Sequence, residues 1–355
     1  MITPKTLRVP PALEVAAEAL LSGPNPLRKI AELLSDRASD ATAAELATCA
    51  LALRQAAPTD RVLWCMTDGP LFSQLPKYHW GMVTDHNRNA AYKRAINNLV
   101  EPGMTVLEIG AGSGLLAMMA ARAGAVHVYT IEADPVMATV ARQTVERNGF
   151  GDRITVIDGF STKMEVGDTL PRRADMLVHE VLSSDVLSEG VLVSVEHAKR
   201  ELLTPDALLL PHGIGAAGAL ANPKGGRLPA EELVEDFDLS ALAYVNAAIH
   251  ACTPGLCTRL SNPIRLLDTD LREDFPLNQK RTVRAKVTQD GTLMGIEQWM
   301  VVGFPDGTLL STDDPTSHWG AGFHPLGETV EVHEGQTVTI HIDQGPTRLS
   351  FVLAD

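Results

Sequence analysis

The sequence predicts an α/β protein in which a parallel sheet wound with helices is followed by an antiparallel β-domain and preceded by a small helical region. Three observations predict it. From Asn87 to about Pro211, short apolar strands alternate with helices. A glycine-rich turn joins the first of those strands to its helix. Beyond Pro211, strands of period two follow one another, separated by turn residues.

The chain has 355 residues, enough for about two domains and a sizeable core. Hydrophobic residues make up 45% and charged residues 21%, which excludes a largely disordered chain. With 30 Lys and Arg against 44 Asp and Glu, the net charge is −14. A phosphate surface needs a basic footprint, so neither nucleic acid nor an anionic membrane is expected as partner. Cys49, Cys65, Cys252 and Cys257 are too scattered for a disulfide framework, and the last two lack a second ligand pair, so no metal is expected. The first apolar stretch, from Pro11 to Leu21, is broken by Glu14 and Glu18, and no run approaches the ~18 apolar residues of a membrane span. A soluble, cytoplasmic protein is expected.

The elements follow in order. Residues 1–75 form the helical region: Asn25-Pro26 reads as an N-cap with proline at the first helical position, ahead of the stripe Leu27, Ile30, Leu33 and Leu34. Thr42 and Glu45 make a capping box, opening a helix through Leu46, Cys49 and Leu53 that Pro58 ends. Residues 76–211 are the parallel α/β domain, with strands at 106–109, 126–131, 154–157 and 176–178 and helices at 115–123, 135–147 and 191–203. Residues 212–355 are the β-domain, with strands at 282–287, 296–302, 329–332, 337–342 and 348–353. Within it, about 222–262 is irregular and partly helical.

The sharpest local signal is Val106-Leu107-Glu108-Ile109-Gly110-Ala111-Gly112-Ser113-Gly114-Leu115. Gly110, Gly112 and Gly114 let the backbone turn sharply and approach a ligand, and the following helix offers free amides. Glu132 ends the next strand, 132 − 108 = 24 positions after Glu108, where a carboxylate can accept ribose hydroxyls. Dinucleotide sites carry Gly-x-Gly-x-x-Gly with no charge ahead of the loop. Here the third glycine comes one residue early and Glu108 precedes it. A carboxylate suits the ammonium and sulfonium of S-adenosylmethionine better than pyrophosphate, so that cofactor is favoured over NAD.

Four segments in order make the chain resemble the protein arginine methyltransferase family. They are Met82-Val83-Thr84-Asp85-His86-Asn87-Arg88-Asn89, the glycine loop, His179-Glu180 through Ser188-Glu189-Gly190, and Ser317-His318-Trp319. The third is similar to the family's double-glutamate loop, with 189 − 180 = 9. The stretches 147–150, 161–162 and 196–198 look most like the type III, monomethylating branch. The resemblance spans about residues 78–355.

The resemblance implies a seven-stranded Rossmann-like class I methyltransferase domain, then an antiparallel β-barrel domain with an inserted helical dimerisation arm at about 222–262, and hence a homodimer. It implies that Glu180 and Glu189 grip an arginine guanidinium, a planar cation whose N–H fork matches carboxylates. His318, paired with Asp85, is the implied proton relay. Arg88 would clamp the cofactor carboxylate, Met82 would pack on the sulfonium end, and Phe160 and Ser161 would lie by the adenine. Trp319 would line the substrate side, and the product would be S-adenosylhomocysteine. Ser183, Ser184 and Asp185 stand where the dimethylating branch has Met and aromatic residues, which leans toward monomethylation. The alanine-rich composition suggests a bacterial source, where the family methylates free arginine in natural-product pathways. Free L-arginine is therefore favoured over a protein or peptide arginine. Two alternatives remain: a non-catalytic relative, disfavoured because both glutamates and all three glycines are present, and a methyltransferase for another amine or hydroxyl, disfavoured because such an acceptor needs no two-carboxylate fork.

Overall fold

The structure, a computed structural model, describes residues 2–69, 78–224, 233–234, 237–238, 250–252 and 255–354. The N-terminal region contains α1 (Glu14–Leu20), α2 (Pro26–Asp36), α3 (Ala43–Ala56) and α4 (Arg61–Met66). Their apolar stripes meet in a small separate core of Leu13, Ile30, Leu34, Cys49, Leu53 and Leu63. Helix α3 opens with the capping box read from the sequence. Thr42 N donates to Glu45 Oε2 at 2.7 Å, and Glu45 N donates to Thr42 Oγ1 at 3.2 Å. Asn25 differs from expectation. It sits at φ +51° rather than in extended backbone, and its side chain makes no cap bond.

The parallel sheet comprises β1 (Thr105–Ile109), β2 (His127–Glu132), β3 (Ile154–Asp158), β4 (Ala174–His179) and β5 (Leu203–Leu210), in the order β3-β2-β1-β4-β5. Its helices are α5 (Tyr78–Thr84), α6 (His86–Leu99), α7 (Leu115–Ala123), α8 (Pro135–Arg147) and α9 (Val191–His197). The sheet has five described strands where the resemblance implies seven, because after β5 the chain turns at Pro211 into the antiparallel domain. Strand order reverses between β1 and β4, and such a switch point opens a crevice at the strands' carboxyl ends. The N-terminal bundle packs on α8, with Ala47 and Ala50 against Val136. Gln143 Nε2 donates to Gln55 Oε1 at 3.2 Å across the same contact.

The rest is antiparallel: β6 (Gly213–Pro223), β7 (Leu233–Val234), β8 (Phe237–Asp238), β9 (His250–Cys252), β10 (Cys257–Arg259), β11 (Ile264–Asp270), β12 (Gln279–Lys286), β13 (Gly291–Gly303), β14 (Leu309–Ser311), β15 (Ala321–Val332), β16 (Thr337–Gln344) and β17 (Leu349–Leu353). One sheet runs β10-β6-β13-β15-β9, with β11 on β6 and β14 on β13. A second runs β12-β16-β17. Apolar residues of both sheets, such as Ile296, Met300, Ile340 and Ile342, join the core that the parallel sheet also uses. Among the described residues the strands stay in separate sheets and close no barrel. Most of the expected dimerisation arm, including 225–232 and 239–249, lies outside the described residues. Among the described residues no helix is long and apolar enough to cross a membrane.

Candidate active site

The glycine loop leaves β1 and folds back on β2. Gly110 N and Ala111 N both donate to Ile131 O, at 2.9 and 3.0 Å. Gly110, Gly112 and Gly114 take φ of +87°, +50° and +81°, a region that favours residues without Cβ. Close approach adds a second reason at Gly112, where a Cβ would stand 3.3 Å from Met82 Cε and 3.8 Å from His79 Nδ1. Gly114 instead faces α8, where a Cβ would meet Val145 Cγ2 at 3.4 Å, so it caps α7 rather than reaching a ligand. Glu132 fixes the loop from below. Its Oε2 accepts from Gly112 N at 2.8 Å and its Oε1 from Asp134 N at 3.0 Å.

Above this loop lies a cleft of about 440 Å³ at the carboxyl ends of β1, β2 and β4. Expected residues on its wall are Met82, Gly110, Gly112, Glu132, Phe160, Ser161, Glu180, Glu189, His318 and Trp319. Ser161 is buried whereas Phe160 is 58% exposed at the rim. Glu108 is not on the wall, contrary to expectation. It is 1% exposed, accepts the Thr130 hydroxyl from the neighbouring strand, and is pushed up to about 8 by burial. Arg88 is also elsewhere engaged. Its Nε donates to Glu180 Oε1 at 2.8 Å and its Nη2 pairs with Glu180 Oε2, both side chains being almost fully buried. The expected clamp for a cofactor carboxylate thus holds a cleft glutamate.

Asp85 caps α6, its Oδ1 accepting from Arg88 N at 2.9 Å. Its Oδ2 accepts from His318 N at 3.2 Å and lies 2.9 Å from His318 Nδ1, so a loop of the β-domain is tied to a helix start 233 residues earlier. Burial pushes Asp85 up, but the bonds from Arg88 and His318 outweigh it and hold the carboxyl below its ordinary value. Burial lowers His318 despite the Asp85 contact, so the imidazole is neutral near pH 7. Trp319 Nε1 donates to Leu182 O at 2.9 Å, and its carbonyl accepts the Ser184 hydroxyl. Glu189 is pushed up to about 7, first by burial and then by Asp185 and Glu132.

The sequence reading missed Tyr78 and His79, both on the wall. They stand four and three residues before Met82, a helical spacing that puts all three on one face. Among the described residues His79 Nδ1 is buried without a partner, and burial lowers its pKa. Asp134 lines the wall as well, at the start of α8. Among the described residues the wall holds Glu132, Asp134, Glu180 and Glu189 and no Lys or Arg. Such a cleft suits cations. It fits the sulfonium and ammonium of S-adenosylmethionine beside a guanidinium, and the glycine cradle leaves room for a ligand where a Cβ would intrude. Among the described residues no group of three or more His, Cys, Asp or Glu is placed to hold a metal ion.

Comparison with known proteins gives three kinds of match. The family model described as ribosomal protein L11 methyltransferase (PrmA) matches residues 85–214. An arginine N(omega)-methyltransferase of Streptomyces achromogenes subsp. streptozoticus is 33% identical over 349 residues, covering 94% of this chain and 95% of that protein. Protein arginine N-methyltransferase 7 of Drosophila yakuba is 30% identical over 282 residues, covering 72% of this chain but 40% of that protein. The Mus musculus protein arginine N-methyltransferase 7 is 42% identical over 139 residues, 37% of this chain and 20% of that protein. Among solved structures, the Trypanosoma brucei PRMT1 enzyme–prozyme heterotetrameric complex with AdoHcy has a TM-score of 0.66 at 22% identity, covering 76% of this chain and 90% of that one. Arabidopsis thaliana protein arginine methyltransferase 10 gives 0.61 at 22% identity, over 76% and 88% of the two chains. At that identity the likeness is one of fold.

Proposed function

This chain belongs to the protein arginine methyltransferase family and is an S-adenosylmethionine-dependent arginine N-methyltransferase, and we propose that its acceptor is free L-arginine, giving Nω-methyl-L-arginine. One observation carries the choice of acceptor. The Streptomyces arginine N(omega)-methyltransferase matches 94% of this chain, so its alignment takes in most of the N-terminal helices, whereas the mouse type 7 protein matches 37%. Those helices pack on α8 beside the cleft and would cover a groove that a longer substrate needs. Protein or peptide arginine remains the second reading, favoured by the names of the type 7 relatives.

The residues divide the work as follows. When bound, the cofactor supplies an electrophilic methyl on a cationic sulfur. Glu180 and Glu189 accept N–H bonds from the acceptor guanidinium, offset the repulsion between two cations, and leave one terminal nitrogen toward the methyl. Holding that geometry can contribute up to about 7–11 kcal/mol. Arg88 fixes the plane of Glu180, in place of the free clamp expected from the sequence. Glu132 offers its remaining lone pairs to the ribose, Met82 and His79 flank the reacting end, and Ser161 with Phe160 borders the adenine. The neutral His318 imidazole, oriented by Asp85, takes the proton that the methylated guanidinium must lose. The Trp319 ring lies tilted against His318, with ring centroids 4.0 Å apart, and closes the acceptor side.

We further assign residues 1–75 as a cover, 76–211 as the cofactor domain and 212–355 as the substrate domain. The protein is proposed to work as a cytoplasmic homodimer that adds one methyl per arginine for a natural-product pathway. Incubation with labelled S-adenosylmethionine and one acceptor at a time tests the acceptor. Label is expected in the free-arginine reaction; label appearing only with an arginine-rich peptide contradicts it.

A further inference from the structure

Residues 181–188 join the two cleft glutamates. Leu182, Val186 and Leu187 anchor this loop in the core, each 3% exposed or less. Val186 takes φ of +72°, a left-handed conformation that a β-branched residue keeps only where its surroundings hold it. A polar knot does so. Asp185 Oδ1 accepts from the Ser183 hydroxyl and, at 3.1 Å, from Ser188 N. The hydroxyls of Ser183 and Ser188 lie 2.7 Å apart, and Val186 N donates to Ser183 O at 2.7 Å. Glu189 follows at once. Its carboxylate makes no hydrogen bond among the described residues, so its place depends on the backbone that the knot delivers.

We propose that Asp185 is a positioning residue for methyl transfer: by tying Ser183 to Ser188 it sets where the loop presents Glu189 beside Glu180 in the acceptor cleft. The inference rests on the two-glutamate reading above. Asp185 also puts a further negative charge near Glu189. The other titratable groups around the cleft are Tyr78 and His79 of α5, Glu132 and Asp134 after β2, Glu180 after β4, and His318 of the β-domain loop. Of these, Glu132 acts with Asp185 to keep the Glu189 proton on to higher pH. The knot and the charge are separable, because an asparagine keeps an acceptor oxygen in the place of Oδ1 while losing the charge.

Two substitutions test this. Asp185→Ala removes knot and charge, and is expected to raise KM for arginine about 10-fold or more with S-adenosylhomocysteine affinity unchanged. Asp185→Asn is expected to keep KM near wild type at alkaline pH while the Glu189 titration moves down, on the order of half a pH unit. That titration is read by 13C NMR of glutamate-labelled protein, with Glu189→Gln for assignment. An Ala variant with unchanged KM, or an Asn variant whose KM rises as far as that of the Ala variant, overturns the proposal. If the Ala variant does not fold, Ser183→Ala, which removes the hydroxyl that Asp185 Oδ1 holds, is expected to raise KM for arginine and decides. Wild-type protein that does not turn over arginine defeats the arginine reading, whereas wild-type turnover with an unchanged KM in the Ala variant defeats this one.

Discussion

At the scale of single residues, the chemistry rests on two carboxylates whose surroundings differ. Glu180 is already paired with Arg88, whereas Glu189 stands without a partner among the described residues and is pushed up to about 7 by burial. A carboxyl raised above its unfolded value of about 4.3 binds a proton in the folded state that it lacks unfolded. Its ionisation therefore lowers stability as pH rises from that value through about 7. A guanidinium beside Glu189 reverses the preference. Arginine binding should release up to one proton below about pH 7 and almost none well above it, and affinity should rise through that range before levelling. Calorimetry in buffers of different ionisation enthalpy measures this; proton uptake would run against it. Glu180→Gln should cut turnover by at least about 100-fold while cofactor binding, followed by fluorescence, stays within a few-fold. Full activity in that variant would refute the two-carboxylate mechanism.

The elements explain why some of this was legible in the sequence and some was not. The strand–glycine–helix unit from Val106 to Ala123 could be read directly, because a sharp turn against a ligand needs backbone without Cβ. Thr42 and Glu45 could be read because a capping box is local. Strand β5 could not, since Pro205 and Asp206 interrupt its apolar run; as an edge strand it tolerates both. Strand β6 was hidden by its Gly and Ala content, which carries no strand propensity. Packing demands that content. A Cβ on Gly218 would stand 2.7 Å from Glu297 O of the adjacent strand and 2.5 Å from Leu266 Cδ1. Gly218→Ala should accordingly cost roughly 1–3 kcal/mol in thermal or urea unfolding, and an unchanged midpoint would show that the sheet can part there without penalty. Within the site, the family resemblance singled out Glu180, Glu189, His318 and Asp85, but it could not show that Arg88 reaches Glu180 across 92 positions, or that the Thr130 hydroxyl donates to Glu108. Those contacts exist only once α6 packs on the sheet and β2 pairs with β1.

For the whole molecule, the net charge of −14 argues against a phosphate-bearing partner, and the structure gathers Glu132, Asp134, Glu180 and Glu189 into one cleft. Light scattering across micromolar concentrations should give twice the chain mass if the 222–262 segment mates two copies; a monomer throughout would remove the dimer. The central claim is that this cleft accepts a whole arginine molecule between its two glutamates. A crystal structure with S-adenosylhomocysteine and L-arginine tests it most directly. The guanidinium is expected between Glu180 and Glu189, with the amino-acid end enclosed by the protein. A guanidinium bound away from those carboxylates, or an amino-acid end open to solvent along a groove fit for a peptide, would contradict it.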